Sequence, residues 1–285
     1  MDFLPPPELA IPISYEARAN AVALYCDAIV RMHWGERLIN KIFGRAMQSH
    51  AAGRIVVQHY RWKEEGAERP TLALLQRHAS RGTRTLASFV AVLRLTGMVT
   101  AEADPADRRV RYLVPQERLV AGLRAWIAHH LRCCEALGLL GAGHAGRLMD
   151  DDAFFSAFVS RAGTILDQVA LHRGRFGGWS WFDERDGGGR VAMLLLRDHF
   201  KANPVAGSPP AAFPLRAREL AEGLGLSHSH VRGLLKEATE AGHLAHDAGR
   251  AQVRLTPRFL DEATSWLLHF LSWFADAAHA ARRAG

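Results

Sequence analysis

The chain has 285 residues, of which 48% are hydrophobic and 23% charged, and these ordinary proportions exclude an intrinsically disordered chain. Its length accommodates two domains of roughly 100–150 residues, each with its own core. The formal net charge of +7 is carried mostly by arginine and favours a polyanionic partner.

The cysteines and the first residues indicate the compartment. Cys26, Cys133 and Cys134 are too few for a disulfide framework, and we expect them to be buried and reduced. The first residues lead into three prolines instead of an apolar segment, so we expect no secretion signal. No stretch reaches the roughly 20 apolar residues that a membrane span needs. The predicted location is the cytoplasm, in association with the nucleoid.

The first half of the chain is predicted to be helical with one short hairpin. Four prolines make residues 1–13 an extended arm. Ser14 is suited to cap the first helix, which Gly35 could divide. Apolar spacing, glycines and prolines predict helices over 15–43, 52–63, 71–79, 83–96 and 115–140, and a hairpin with strands at 98–99 and 110–113 around a turn at 104–107.

The second half is predicted to repeat this organisation after a break. Residues 150–173 are predicted to be one helix with acids at its positive end. Residues 174–189 are rich in glycine, with Trp179, Trp181 and Phe182 among them, and are interpreted as a linker with aromatic anchors. Further helices are predicted over 191–201, 215–223, 228–241 and 257–282, with a loop over 203–214 and a hairpin over 243–255 whose turn lies at 247–249.

Two segments match in pattern when the sequence is shifted by 145 positions. The matching pairs are Leu75 with Leu220, Leu86 with Val231, Phe89 with Leu234, Val90 with Leu235, Gly97 with Gly242, and Val99 with Leu244. In each copy the second helix has apolar residues at i, i+3, i+4 and i+7, which form one buried stripe. The pattern predicts two helices that cross, followed by a β-hairpin.

The opposite faces of these second helices carry small, polar and basic side chains. Such a face can enter a major groove about 12 Å wide. Arginines on the hairpins could neutralise phosphates or enter a minor groove. The candidate DNA-binding residues are therefore Arg81, Arg84, Thr85, Ser88, Arg108, Arg109, Arg111, Ser227, Ser229, His230, Arg232, Gly233, Lys236, Arg250 and Arg254.

Residues 71–113 and 215–255 resemble the winged helix-turn-helix family of bacterial transcription regulators. The segment Ala217-Arg218-Glu219-Leu220-Ala221, followed by Gly225-Leu226-Ser227, is similar to a general helix-turn-helix signature. The long helices around the first copy resemble the MarR (multiple antibiotic resistance regulator) layout. That resemblance implies flanking helices that form a dimer and a winged helix that reads DNA. A MarR-type chain holds one winged helix, whereas this chain has two candidate copies.

Other chemistries have weaker support. His228 and His230 point to different sides of a helix, and His130 with Cys134 supplies two ligands where zinc needs three or four. Residues 187–190 lack the ending of a phosphate-binding loop. Since no catalytic constellation is visible, the sequence predicts a protein that is not an enzyme and has no metal or cofactor.

The predicted fold is mainly α, with two winged helix-turn-helix modules, each a three-helix core plus a β-wing, joined by long helices. The predicted divisions are an arm (1–13), an N-terminal helix with the first module and its following helix (14–140, core 50–115), a helical connector and Gly/Trp-rich linker (141–189), and the second module with a C-terminal helix (190–285, core 190–257). The apolar side of the C-terminal helix is interpreted either as core or as a dimer interface.

The predicted function is a sequence-specific regulator of transcription that binds double-stranded DNA. Two modules in one chain could read two unlike half-sites. Two alternatives stay open: a plasmid-type replication initiator that binds origin repeats, and an adaptor whose winged helices dock proteins. The exposed Ala91 and Val92 favour a protein-facing surface in the first copy. The sequence leaves open whether the chain forms a homodimer through its terminal or connecting helices. It also does not identify the operator or any small-molecule effector.

Overall fold

The computed structural model describes residues 14–78, 83–205, 210–246 and 252–283, with the backbone alone for Thr83 and Arg173. The predicted arm, 1–13, lies outside the described residues. In chain order the elements are α1 (Tyr15–His33), α2 (Arg37–Ile42), α3 (Ala46–Glu65), α4 (Leu72–His78), α5 (Thr83–Leu95), β1 (Val99–Ala103), β2 (Arg111–Pro115), α6 (Glu117–Ala136), α7 (His144–Asp150), α8 (Asp152–Arg161), α9 (Gly163–His172), α10 (Gly177–Asp183), α11 (Gly188–Ala202), β3 (Phe213–Pro214), α12 (Ala217–Leu224), α13 (His228–Glu240), β4 (Leu244–His246), β5 (Gln252–Leu255) and α14 (Pro257–Arg282). The predicted mainly helical architecture is confirmed, as is the break at Gly35, whose φ is 82°.

The two segments that match in sequence fold into the same succession of elements, unit 1 (Leu72–Pro115) and unit 2 (Ala217–Leu255). The helices α12 and α13 and the strand β4 each begin 145 residues after α4, α5 and β1. Gly97 and Gly242 follow the second helices with φ of 67° and 76°, a conformation that costs glycine little because it has no Cβ. The next residue closes the same hydrogen bond in both units, 2.9 Å long, from Met98 to Leu93 and from His243 to Ala238.

An extended segment before each unit adds to its hairpin. In unit 2 the antiparallel strand order is β3-β5-β4, with Phe213 opposite Val253. In unit 1, Val99 lies opposite Pro115, and Thr71 bridges to Tyr112. Two sequence predictions are therefore wrong: the loop over 203–214 contains β3, and Pro115 ends β2 instead of starting α6. Both depend on a pairing partner distant in sequence, which local periodicity does not reveal.

The remaining helices form a platform that carries both units. α1 packs along α11, and α14 contacts α6, α8, α9 and α10. The buried apolar residues form one continuous cluster that runs through the platform and both units. Trp273, which lies off the main apolar stripe of α14, is only 9% exposed and stacks on His172 with ring centroids 5.5 Å apart. The interpretation of the C-terminal helix as a core element is thus supported, and the dimer stays a prediction.

The interpretation of residues 174–189 as a linker is wrong. This segment contains α10 and the start of α11, and both Trp179 and Phe182 are buried. Its glycines serve close packing: a Cβ on Gly178 would lie 3.0 Å from the Phe259 ring, and one on Gly188 would lie 2.0 Å from the carbonyl oxygen of Phe182. A glycine-rich composition therefore marks tight helix contacts here and not a flexible connection.

The predicted helix over 150–173 is divided into α8 and α9 at Ala162. Asp151 accepts a hydrogen bond from the Phe154 N–H at 2.9 Å, which accounts for the predicted acidic helix start. All three cysteines are free and buried, as predicted. Within the described residues, no helix combines the length and apolar character required to cross a bilayer.

Candidate nucleic-acid interface

The second helix of unit 2, α13, begins at a well-formed cap. The Ser227 Oγ accepts a hydrogen bond from the His230 N–H at 3.1 Å and lies 3.2 Å from the Ser229 Oγ. Ser227, predicted to contact DNA, therefore has a structural role that determines where α13 starts. Ser229, Arg232 and Lys236 are exposed at i, i+3 and i+7, so they form one stripe along the helix.

The predicted residues of α13 after Ser229 differ in whether another residue of the chain already binds them. The His230 Nε2 donates a hydrogen bond to the Asp186 carbonyl at 2.8 Å, so this ring holds α13 against the platform. Lys236 lies 3.7 Å from Glu240, one turn further along. At Gly233 an added Cβ would meet no atom within 4 Å, so the helix surface there is open to a close neighbour. By contrast, the Arg232 guanidinium forms no ion pair or hydrogen bond with another described residue.

The second helix of unit 1, α5, presents the equivalent stripe. Arg84, Thr85 and Ser88 are exposed near its N-terminus, and the Ser88 Oγ donates a hydrogen bond to the Arg84 carbonyl at 3.2 Å. The stripe continues into Val92, 39% exposed, and Leu95, 87% exposed. It therefore changes from polar and basic to apolar along one helix.

The turn of the first hairpin is organised by a carboxylate. The Asp104 Oδ1 accepts hydrogen bonds from the N–H groups of Ala106 and Asp107 at 2.7 and 3.1 Å, and the Tyr112 hydroxyl donates to Oδ2. The Tyr112 hydrogen bond, with these two N–H groups, lowers the pKa of Asp104, and the same bond raises the pKa of Tyr112. The Asp107 Oδ1 accepts from the Arg109 N–H at 2.9 Å. The predicted turn is thus fixed in one conformation by its own side chains.

This turn presents three of the predicted arginines to solvent. Arg108, Arg109 and Arg111 are exposed, and their guanidinium groups have no partner among the described residues. Sequence reasoning missed Arg69, which joins the hairpin to α3: it pairs with Glu102 at 2.9 Å and lies 4.3 and 4.1 Å from the centroids of Trp62 and Tyr112. These contacts form only when the two strands of the hairpin pair in this register, so no local sequence pattern indicated them.

The other predicted arginines are less informative. Arg81 and Arg250 lie outside the described residues, as does the turn predicted at 247–249. Arg254 is exposed on β5.

The two units differ in charge. Unit 1 contains seven arginines and three carboxylates, Glu102, Asp104 and Asp107, and all three carboxylates are engaged within the hairpin or with Arg69. Unit 2 contains five basic and five acidic side chains, among them Glu237 and Glu240 on α13 itself. The helix-turn-helix signature is more specific in unit 2, but the free positive charge lies on unit 1. An anionic surface would therefore be attracted mainly to unit 1.

The structure also bears on the weaker metal hypothesis. His130 is buried, with Nδ1 donating to the Trp126 carbonyl at 2.8 Å and Nε2 lying 2.9 Å from the Tyr25 hydroxyl. The Cys134 thiol donates to the Leu271 carbonyl at 3.2 Å. Both ring nitrogens of His130 are thus occupied, and the described part of the chain contains no group of three or more histidine, cysteine or acidic side chains placed to hold an ion.

Replacing Asp104 with alanine tests the rigidity of the first hairpin. The variant loses the acceptor for two backbone N–H groups and for the Tyr112 hydroxyl. We expect hydrogen exchange at the Ala106 and Asp107 amides to accelerate roughly tenfold, because their opening no longer breaks these bonds. Exchange in α14 should not change. Asp150→Ala, which removes another exposed carboxylate, serves as the control, and equal exchange in both variants would contradict this role.

No family model, no curated protein and no solved structure matches the chain. Its function is therefore inferred from the geometry of its own residues.

Proposed function

We propose that the chain binds double-stranded DNA through two winged-helix modules and regulates transcription. The first module would combine α3 with unit 1, and the second would combine α11 and β3 with unit 2. The observation that carries the proposal is the surface of unit 1, where the exposed arginines of α5 and of the hairpin have no partners among the described residues while the carboxylates are engaged.

The two elements of unit 1 would contact different parts of the duplex. The N-terminal half of α5 has only small or polar side chains on its exposed stripe, which permits a close approach to base edges in the major groove. The hairpin arginines would reach the phosphates beside that groove or the adjacent minor groove. Phosphate contacts position the protein, and contacts from Thr85 and Ser88 would supply part of the sequence preference.

Unit 2 would contribute fewer phosphate contacts. Its stripe on α13 carries Ser229 and Arg232, but Glu237 and Glu240 lie on the same helix. Repulsion between these carboxylates and the backbone makes unit 2 weaker as a nonspecific binder. Its affinity would depend more on the base sequence, which is consistent with two unlike half-sites.

The first experiment is fluorescence anisotropy with labelled duplexes of random sequence and of genomic origin over a salt series. We expect affinity to fall linearly on a log–log plot against salt, and some genomic fragments to bind about a thousandfold more tightly than random DNA. Binding without sequence preference would leave an architectural role. Absence of binding at low salt would contradict the proposal.

A second candidate function, docking of a protein partner, is favoured by one observation. Leu95 is 87% exposed and continues the same stripe of α5 as Ser88 and Val92. Large apolar side chains on a recognition helix are costly to expose unless something covers them. If Leu95→Ser abolishes capture of a partner while the chain shows no DNA affinity, the adaptor function replaces the regulator.

A further inference from the structure

A cavity of about 490 Å³ lies within the platform, lined by parts of α1, α3, α6, α9, α11 and α14. This volume falls within the range of small-molecule binding sites. Most of its wall is apolar, and the indole rings of Trp126, Trp179 and Trp266 are part of it. Apart from Met98 of unit 1, its lining residues lie outside both units.

One charged side chain of this cavity is buried. Arg190, in the first turn of α11, lines the cavity and is only 8% exposed. Its two terminal nitrogens donate to the carbonyl oxygens of Phe43 and Asn40 at 2.8 and 2.9 Å, and its Nε has no hydrogen-bond partner. Among the described residues no carboxylate lies within 4.0 Å of this guanidinium. A buried cation that contacts only carbonyl dipoles is costly, because its charge has lost its water without gaining a counter-ion.

The other charges around the cavity do not compensate Arg190. Glu36 and Asp183 line it, but so do Arg45 and Arg118, which leaves the charge of Arg190 in excess. Burial lowers the pKa of Arg190, and the more distant Asp186 opposes that shift. The cavity therefore combines an apolar wall with one positive group that would gain from an anion.

We propose that this cavity binds an apolar organic acid, whose carboxylate pairs with Arg190 and whose hydrocarbon or aromatic body lies among the tryptophans. A planar guanidinium suits a carboxylate, which accepts two hydrogen bonds at once, and each terminal nitrogen of Arg190 has a second N–H besides the one that binds a carbonyl. Burial of the hydrocarbon body would contribute about 25 cal/mol for each Å² of apolar surface removed from water. Charge and apolar body are both required for tight binding.

The contacts of Arg190 connect the cavity to both units through α2. The backbone carbonyl of Asn40 accepts from Arg190, and the Asn40 side-chain Nδ2 donates to the Leu224 carbonyl at 3.1 Å, at the turn before α13. Phe43, the other carbonyl partner, packs its ring 6.1 Å from that of Phe89 in α5. A carboxylate that draws Arg190 away from these carbonyls would alter the seating of both second helices. The effect on DNA affinity rests on the proposed function, but the binding of an acid does not.

The test is a titration of the full chain, without DNA, monitored by tryptophan fluorescence. Decanoate is the probe, kept below the concentration at which it aggregates, and 1-decanol is its uncharged counterpart. We expect decanoate to bind at least about tenfold more tightly than decanol, a ratio that corresponds to about 1.4 kcal/mol. Arg190→Met should reduce the affinity for decanoate to that for decanol and leave decanol binding unchanged. Arg147→Gln, which removes an exposed arginine on α7, is the control and should change neither.

A second variant tests the location independently of Arg190. Gly122 lines the cavity and is exposed, so it lies at the cavity mouth, where an added Cβ would meet no atom within 4 Å; Gly122→Phe would place a large side chain across the entrance. It should weaken both ligands. Arg190→Met removes the unpaired buried charge but leaves the Phe43 and Asn40 carbonyls without this donor, and unchanged decanol binding is the evidence that the variant retains the cavity. Equal affinity for decanoate and decanol, decanoate binding unaffected by Arg190→Met, or binding unaffected by Gly122→Phe would each overturn the proposal. Failure of DNA binding alone would not affect this result.

Discussion

Replacement of Arg84, Arg108 and Arg109 together with glutamine is expected to weaken DNA binding about 100-fold at physiological salt. Each phosphate contact contributes about −0.9 to the slope of log affinity against log salt, so three lost contacts reduce the slope by roughly 2.7. At about 0.15 M salt the same three contacts correspond to a loss of the order of 100-fold. The guanidinium groups have no partners among the described residues, so the loss of affinity would not result from a loss of internal ion pairs.

The matched controls distinguish this surface from net charge. A triple variant of Arg31, Arg61 and Arg147 removes the same charge from exposed i,i+4 pairs outside both units. We expect less than a threefold effect from it. The pair Arg232→Ala and Lys236→Ala should cost less at random sites than the unit 1 triple, because acidic side chains share their helix. Equal losses in the control triple, or a larger loss from the unit 2 pair, would contradict the assignment of phosphate contacts to unit 1.

The repeated units could be predicted because their folding is determined locally. The stripe Val231, Leu234, Leu235 and Ala238 is buried as its spacing indicates, and so is the stripe Leu86, Phe89, Val90 and Leu93. Gly97 and Gly242 follow these helices with positive φ, a backbone conformation that ends a helix and depends only on the local residue. Helix spacing and glycine position are visible in a sequence without knowledge of distant contacts.

The features that were missed depend on contacts between distant residues. Asp104 was predicted only as part of a turn, because its partner Tyr112 is identified by the register of β1 and β2. The 174–189 segment was misinterpreted because Gly178 and Gly188 are needed for the approach of Phe259 and of the Phe182 backbone. Arg190 followed three glycines and was considered only as part of a phosphate loop, whereas the fold places it in a cavity with carbonyls about 150 positions away.

The chain is expected to lose stability steeply between pH 7.5 and pH 5, and His199 should account for about 2 kcal/mol of that loss. His199 is 1% exposed and lies between the rings of Phe200 and Phe213, and neither ring nitrogen has a hydrogen-bond partner. Burial lowers the pKa of His199 to about 4. Between that value and the unfolded pKa of about 6.5, the unfolded chain binds the proton and the folded chain does not, so stability falls as pH falls.

Removal of the titrating ring isolates this contribution. His199→Leu fills a similar volume in an apolar site and leaves no hydrogen-bond partner unpaired, so we expect it to be at least as stable as the parent at pH 7.5. At pH 5 it should be more stable than the parent by about 2 kcal/mol, measured by urea unfolding. His228→Leu, which removes an exposed histidine of α13, should retain the pH dependence of the parent. If the parent and His199→Leu lose the same free energy between these pH values, His199 binds its proton as readily in the folded chain as in the unfolded chain, and the packing around α11 and β3 must admit water.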